Sequence, residues 1–257
     1  MKKTVILEKE KIELNNPILI SGLPGLGMVG KIAVKYLIKQ LKAEKFAELY
    51  SPHFAYYVLV DEKGDIKLLK NEFYYWINNE GENDIILLTG NSQAQTVEGQ
   101  YEVADAILEF AKRKNVKLII TVGGYRKDVV DTPKVFASAT SPEALNNALE
   151  GGALSNLSGS PIVGAAGLLL GLAKLKDLEG ICLLGETPGY MPDPKAARSV
   201  LKVLMKMLNL TLDLAGLDRE IYKIAQIEEQ MRKIEEQRRA SEREMRRIEE
   251  EKTFYIG

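Results

Sequence analysis

The residues whose types and spacing come closest to a ligand-binding pattern lie in Ser21-Gly22-Leu23-Pro24-Gly25-Leu26-Gly27-Met28-Val29-Gly30-Lys31. Gly25-x-Gly27-x-x-Gly30 has the spacing of a dinucleotide fingerprint, and Gly25-x-x-x-x-Gly30-Lys31 that of a phosphate-binding P-loop. In either motif, glycines let backbone N–H groups approach phosphate oxygens at the start of a helix. The confirming partners are missing. A dinucleotide site needs an acid about 20 residues on, and Glu48 stands near that distance only inside the run Phe46-Ala47-Glu48-Leu49-Tyr50. A P-loop needs Ser or Thr after its lysine to hold magnesium, and Ile32 has no ligating atom. The plainer reading is a glycine turn that lets a helix pack closely on a strand. Gly25, Gly27, Gly30 and Lys31 are the alternative, nucleotide-binding set.

Other reactive groups are few. The chain has one histidine, His53, and one cysteine, Cys182, which excludes a zinc site of ordinary His/Cys spacing and an intramolecular disulfide. A Ser-His-Asp triad would have to use His53, which reads instead as a hydrogen-bonded loop imidazole. Asp128, Asp131, Glu186 and Asp193 could meet as carboxylates, but their spacing alone does not pair them. Without an acid, a base and a nucleophile in one pattern, the expectation is a non-enzyme without a metal site.

The elements that would carry these residues read as an α/β alternation. Ile18 to Ser21 is a short apolar run before the glycines, and Ile32, Ala33, Tyr36, Leu37 and Leu41 follow at helical spacing. Asp84 to Gly90, Lys117 to Gly124, Pro161 to Gly167 and Glu179 to Gly185 repeat the passage from buried strand to glycine turn. A helix from about Gln95 to Lys114 carries Val97, Tyr101, Ala104, Ile107, Leu108 and Ala111 on its apolar face. Thr4 to Leu7 reads as a first strand, Tyr56 to Val60 and Ile66 to Leu69 as a hairpin, and Phe73 to Ile77 as an aromatic edge strand. The expected fold is a three-layer α/β/α sandwich with a mostly parallel sheet. In it Thr89 to Ser92, Gly123 to Arg126 and Glu186 to Tyr190 share one edge with the glycine loop.

The chain of 257 residues is 46% hydrophobic with a net charge of −1, enough for a sizeable core and without a general pull on nucleic acid or anionic lipid. No run reaches the ~20 apolar residues of a membrane helix, so a cytoplasmic protein is expected. After a helix from Lys195 to Leu214 the composition changes. Residues 218–252 hold 11 acidic and 10 basic side chains and neither glycine nor proline. Leu217, Glu220, Ile224, Ile227, Met231, Ile234, Arg238, Ser241, Met245 and Ile248 alternate spacings of three and four, the seam of a coiled coil. Thr253-Phe254-Tyr255-Ile256-Gly257 then ends the chain on exposed aromatics, a candidate docking peptide. The expected domains are an α/β body over 1–215, a charged heptad-like helix over 216–252 and a docking tail over 253–257, the last two forming a long C-terminal extension.

Ser21 to Gly30, Gly123-Gly124-Tyr125 and Gly185-Glu186-Thr187-Pro188-Gly189-Tyr190-Met191-Pro192-Asp193-Pro194-Lys195-Ala196-Ala197 together resemble the archaeal branch of the proteasome assembly chaperone family. The long helix with an aromatic tip is similar to the PbaA type of archaeal homologue. The resemblance implies an α/β sandwich without cofactor, self-assembly into a homo-oligomer such as a pentameric ring, and contact with proteasome α-subunits or a related assembly partner. It also implies partner binding through Phe254, Tyr255 and Ile256, which fit the family's hydrophobic–Tyr–any-residue docking motif. Gly257 places the tyrosine third from the end and moves the terminal carboxylate by roughly 3.5 Å.

Overall fold

The computed structural model describes residues 1–227, apart from 80, 82, 129–131, 157 and 158, together with 229, 230 and 238. The chain divides into two compact units, Met1–Asp213 and Leu214–Gly257.

In the first unit the elements run β1 (Val5–Glu8), β2 (Ile18–Ser21), a single 3-10 turn (Leu26–Met28), α1 (Val29–Leu41), β3 (Glu44–Tyr50), β4 (Val58–Val60), β5 (Ile66–Leu68), β6 (Asn71–Trp76) and β7 (Ile85–Gly90). They continue through α2 (Val97–Arg113), β8 (Leu118–Arg126), β9 (Val135–Ala139), α3 (Pro142–Glu150), β10 (Leu154–Ser155), α4 (Ala165–Leu175), β11 (Glu179–Thr187) and α5 (Pro194–Met207). Nine strands form one sheet in the order β1-β3-β6-β7-β2-β8-β11-β9-β10, and β4 and β5 pair separately. Helices α1, α3 and α5 pack together on one face, and α2 packs with α4 on the other. The three layers expected from the sequence are present.

The sheet is mixed rather than mostly parallel. β7, β2, β8 and β11 form a parallel centre, while β1, β3, β6 and β7 pair antiparallel. β9 also runs antiparallel to β11. The physical reason is the connections: no helix separates β3, β6 and β7 in sequence, and without a crossover neighbouring strands must reverse direction. The aromatic run is likewise an interior strand, not an edge. β6 lies between β3 and β7, with Phe73 fully buried beside Phe46 and Phe110 at ring-centroid distances of 6.4 and 4.6 Å.

Local signals set most boundaries. The Thr96 hydroxyl accepts Gly99 N–H and starts α2, where Val103, Ala104, Ile107, Leu108, Phe110 and Ala111 are buried while Val97 and Tyr101 are exposed. The apolar face is therefore rotated from the one expected. Pro161 to Gly167 forms no strand: Gly164, at φ +84°, is the N-cap of α4. α5 stops at Met207 instead of continuing to Leu214. Asn209 turns left-handed at φ +50°, and Leu210 N–H bonds back to Met205 O at 2.8 Å, a Schellman ending. Residues 215–227 are again helical. At the other end of α5 the Asp193 carboxylate accepts Ala196 N–H at 2.9 Å, with Pro194 in the first turn. Asp193→Ala is expected to lower stability by about 1 kcal/mol through the lost cap, read as a fall in the urea midpoint at unchanged slope.

Candidate functional site

The parallel order brings the carboxyl ends of β7, β2, β8 and β11 to one edge, so the segments singled out in the sequence gather there, although Gly123 to Arg126 continue β8 and Glu186 and Thr187 continue β11 as strand rather than loop. Thr89 donates its hydroxyl proton to Gly22 O at 2.9 Å. Around the glycine loop the backbone is committed to bonds within the loop and to other parts of the chain. Gly22 N–H bonds to Leu88 O, Met28 N–H to Gly25 O, and Asp193 N–H to Gly27 O, at 2.8, 2.9 and 2.8 Å. Gly27 has φ +56°, and a methyl group on it would meet the Thr187 hydroxyl at 2.5 Å. The connection from β11 to α5 thus lies on the segment where a dinucleotide fingerprint would expose its backbone.

Gly30 sits against the sheet: a methyl group there would lie 2.2 Å from Val122 O. Lys31, half-buried on α1, has its pKa lowered, first by burial and then by Lys35. Of Gly25, Gly27, Gly30 and Lys31, Gly25 alone borders the cleft between the strand ends. Glu48, weighed as a ribose ligand, lies on β3, across β6 and β7 from β2. There it joins an ion-pair cluster with Lys9, Lys45 and Lys70.

The scattered reactive groups remain apart. Glu186 is buried, pairs with Lys127 at 2.8 Å and accepts Lys134 N–H at 3.0 Å. Burial alone would raise its pKa, but these bonds hold it below the usual range. Asp193 caps α5, Asp128 is exposed, and Asp131 lies outside the described residues. His53 Nε2 is 3.3 Å from Glu102 Oε2 and its Nδ1 3.4 Å from Thr96 Oγ1. That order imitates a nucleophile–base–acid relay, but Thr96 is occupied in capping α2 and Glu102 in accepting from Thr4 N–H and hydroxyl. Burial pushes the Cys182 thiol up to about 11, away from thiolate chemistry. Among the described residues no three His, Cys, Asp or Glu side chains are grouped to hold a metal ion, and no helix is long and apolar enough to cross a membrane.

The exposed hydrophobic surface is concentrated instead on the β4–β5 hairpin. Tyr56, Tyr57, Val58, Leu59, Val60, Ile66 and Leu68 are all exposed, Val60 by 66% and Ile66 by 72%. A lone two-stranded hairpin is marginal in water, and this one presents apolar side chains on both faces. Beside it Met1, Val5, Leu7, Ile66 and Leu68 line a groove of about 550 Å³. Contiguous exposed apolar patches on folded bodies occur at protein or membrane interaction sites and at ligand grooves. The signal was present in the sequence: Tyr56 to Val60 is an unbroken apolar run rather than an alternating one, so a two-strand layer leaves one face uncovered. The docking residues Phe254, Tyr255 and Ile256, and the heptad positions Met231, Ile234, Ser241, Met245 and Ile248, lie outside the described residues.

The model of the PAC2 family matches residues 19–235. An uncharacterised protein of Methanocaldococcus jannaschii, MJ1210, is 36% identical over 237 residues, which cover 91% of each chain. The crystal structure of Pyrococcus furiosus PbaB, described as an archaeal proteasome activator, is 40% identical with a TM-score of 0.86, covering 90% of this chain and 99% of that one. That of Pyrococcus furiosus PbaA, described as an archaeal homolog of proteasome-assembly chaperone, is 31% identical with a TM-score of 0.75, covering 96% and 97%. With the family model matching residues 19–235 of this chain and a relative 36% identical over 91% of it, the chain belongs to the PAC2 family.

Proposed function

We propose that the protein is a non-enzymatic assembly factor of the proteasome-assembly-chaperone type. It self-associates through its α/β body, residues 1–215, and presents its C-terminal helix and tail, residues 216–252 and 253–257, to proteasome α-subunits or a related cytoplasmic partner. The observation that carries this reading is the β4–β5 hairpin, whose apolar residues are exposed on both faces. Its likeness to PbaB and PbaA supports the choice of partner. Phe254, Tyr255 and Ile256 are the proposed partner-binding residues, and no cofactor is assigned.

The test is the solution mass of the full chain, alone and mixed with proteasome α-subunits, by light scattering after size exclusion. A closed homo-oligomer and a mixed complex are expected. Val60→Lys with Ile66→Lys should give a smaller species by charging the apolar hairpin. Deleting residues 253–257 should abolish the mixed complex while leaving the homo-oligomer intact. A monomeric full chain would sink the self-assembly, and a mixed complex indifferent to the deletion would sink the docking role of the tail.

A further inference from the structure

A cleft of about 330 Å³ opens between the carboxyl end of β2, the end of β8 and the start of α4. Its size is at the lower end of small-molecule sites, roughly 300–1,000 Å³. Leu23, Val122, Ile162 and Leu184 make most of its walls apolar. Its polar features converge. Ser21, the last residue of β2, lines the cleft and is only 3% exposed. Among the described residues its hydroxyl has no hydrogen-bond partner. Its oxygen is not fully enclosed but opens on the cleft, where a ligand atom can complete its bonding.

Ala165 and Ala166 begin α4 and line the same space. A helix start carries unsatisfied N–H groups and a partial positive charge. This end is held in place by Gln93, whose amide oxygen accepts Ala165 N–H at 3.0 Å and whose amide nitrogen donates to Pro24 O at 2.5 Å. The rim carries Arg126, its guanidinium stacked 4.5 Å from the Tyr190 ring centroid and hydrogen-bonded to the Tyr190 hydroxyl. The stacking orients the guanidinium and leaves further N–H donors for a ligand. Aspartate, glutamate and lysine do not occur among the lining residues.

We infer that this cleft binds a small monocarboxylate carried on an apolar body, either a free acid or the terminal residue of a peptide. The unpartnered Ser21 hydroxyl and the positive groups receive the carboxylate, and the apolar walls take the body. One cation and one helix end suit a single negative charge. A phosphate dianion would need more compensation than the lining supplies. This is independent of the assembly role, and failure of one leaves the other standing.

Calorimetric titration of the full chain with 4-methylpentanoate and with its amide is the first arm. N-acetyl-alanyl-leucine and its C-terminal amide form the second. The free carboxylates are expected to saturate, with the amides weaker by about tenfold or more, the worth of a charge-assisted hydrogen bond. Tighter binding in the first arm marks a free acid as the source and in the second a chain terminus; either supports the site. Arg126→Gln, at an exposed position, should cut acid affinity about tenfold without moving that of the amides, and Ser21→Ala should cut it less. Equal binding of acid and amide overturns the inference, as does no binding of either acid up to about 20 mM, where affinity would be negligible. Acid binding unchanged by Arg126→Gln overturns it as well.

Discussion

Gly30→Ala is expected to cost about 3 kcal/mol or more of folding stability, although alanine is the better helix former. Gly30 is the second residue of α1, and there the helix lies directly on two strands. A methyl group at Gly30 would sit 2.2 Å from Val122 O on β8, and one at Gly22 would sit 2.1 Å from Gly30 O. Both obstacles are backbone atoms, which cannot swing aside as a side-chain end can. Relief requires α1 to lift from the sheet, opening the packing of Val29, Ala33, Val34 and Leu37, all fully buried. The control is Gly171→Ala in α4. Nothing lies within 4 Å of a methyl group there, so the same substitution should stabilise by about 0.5–1 kcal/mol through helix propensity and chain entropy. Guanidinium unfolding of the two variants checks this. A fall of under 1 kcal/mol at Gly30 (an ordinary substitution) would show that the close approach is not what the loop needs glycine for.

Glu48→Gln should be nearly as damaging, with a pH signature. Glu48 on β3 stands directly opposite Glu72 on β6, a like-charge cross-strand pair that is unfavourable by itself. Lys45 bridges the two at 2.9 and 3.1 Å, and Lys70 does so at 2.5 and 3.2 Å. Lys9 reaches Glu48 at 3.3 Å, and the Tyr50 hydroxyl donates to it at 3.1 Å. Burial alone would raise the Glu48 pKa, yet the hydrogen bonds from Lys70, Lys45 and Tyr50 outweigh it and hold the carboxyl well below the usual range. Glu72 shifts the same way, burial being outweighed by Lys45 and Lys70.

A folded pKa below the unfolded value means stability that is complete above the unfolded carboxylate pKa of about 4.3 and is lost as the pH falls from there toward the folded pKa. Lys45 is shifted upward, chiefly by its hydrogen bond to Glu48, so its contribution is complete below the unfolded lysine pKa of about 10.4 and is lost at higher pH. Removing the Glu48 charge leaves two partly buried lysines with Glu72 alone, at an expected cost of about 3 kcal/mol near neutral pH. Because that stabilisation is then absent, the fall in stability below pH 4.3 should be shallower in the variant. Urea midpoints across the acid range read both effects, and parallel acid limbs in the two proteins would overturn the assignment.

Much of the architecture was legible because it rests on local rules. The strand-to-glycine passages at Ser21, Gly90 and Gly123 to Arg126, the α2 helix and the β4–β5 hairpin each carry their signal within a few residues. Where the reading failed, a distant partner decided. Phe73 to Ile77 reads as an edge strand because its neighbours β3 and β7 come from elsewhere in the chain. Pro161 to Gly167 reads as a strand because its apolar run does not reveal the left-handed Gly164. Residues 127–160 received no strand or helix from the sequence, since β9 is short and gains stability by lying beside β11, and the two-residue β10 by lying beside β9. The glycine loop was legible as a turn. That its backbone serves the β11–α5 connection was not, and neither was the cleft that unites Ser21, Arg126 and Ala165.

Composition, periodicity and backbone freedom are properties of short stretches, and from them follow the alternation of strands and helices, the turn at Gly22 to Gly30, the paucity of reactive groups and the abrupt charge change after Leu217. Which strands reverse, that Glu48 anchors an ion cluster instead of facing a nucleotide, and that an apolar hairpin stands uncovered emerge only on folding. Those depend on pairings across tens of residues, whose energy comes from burial and from charges brought together by folding.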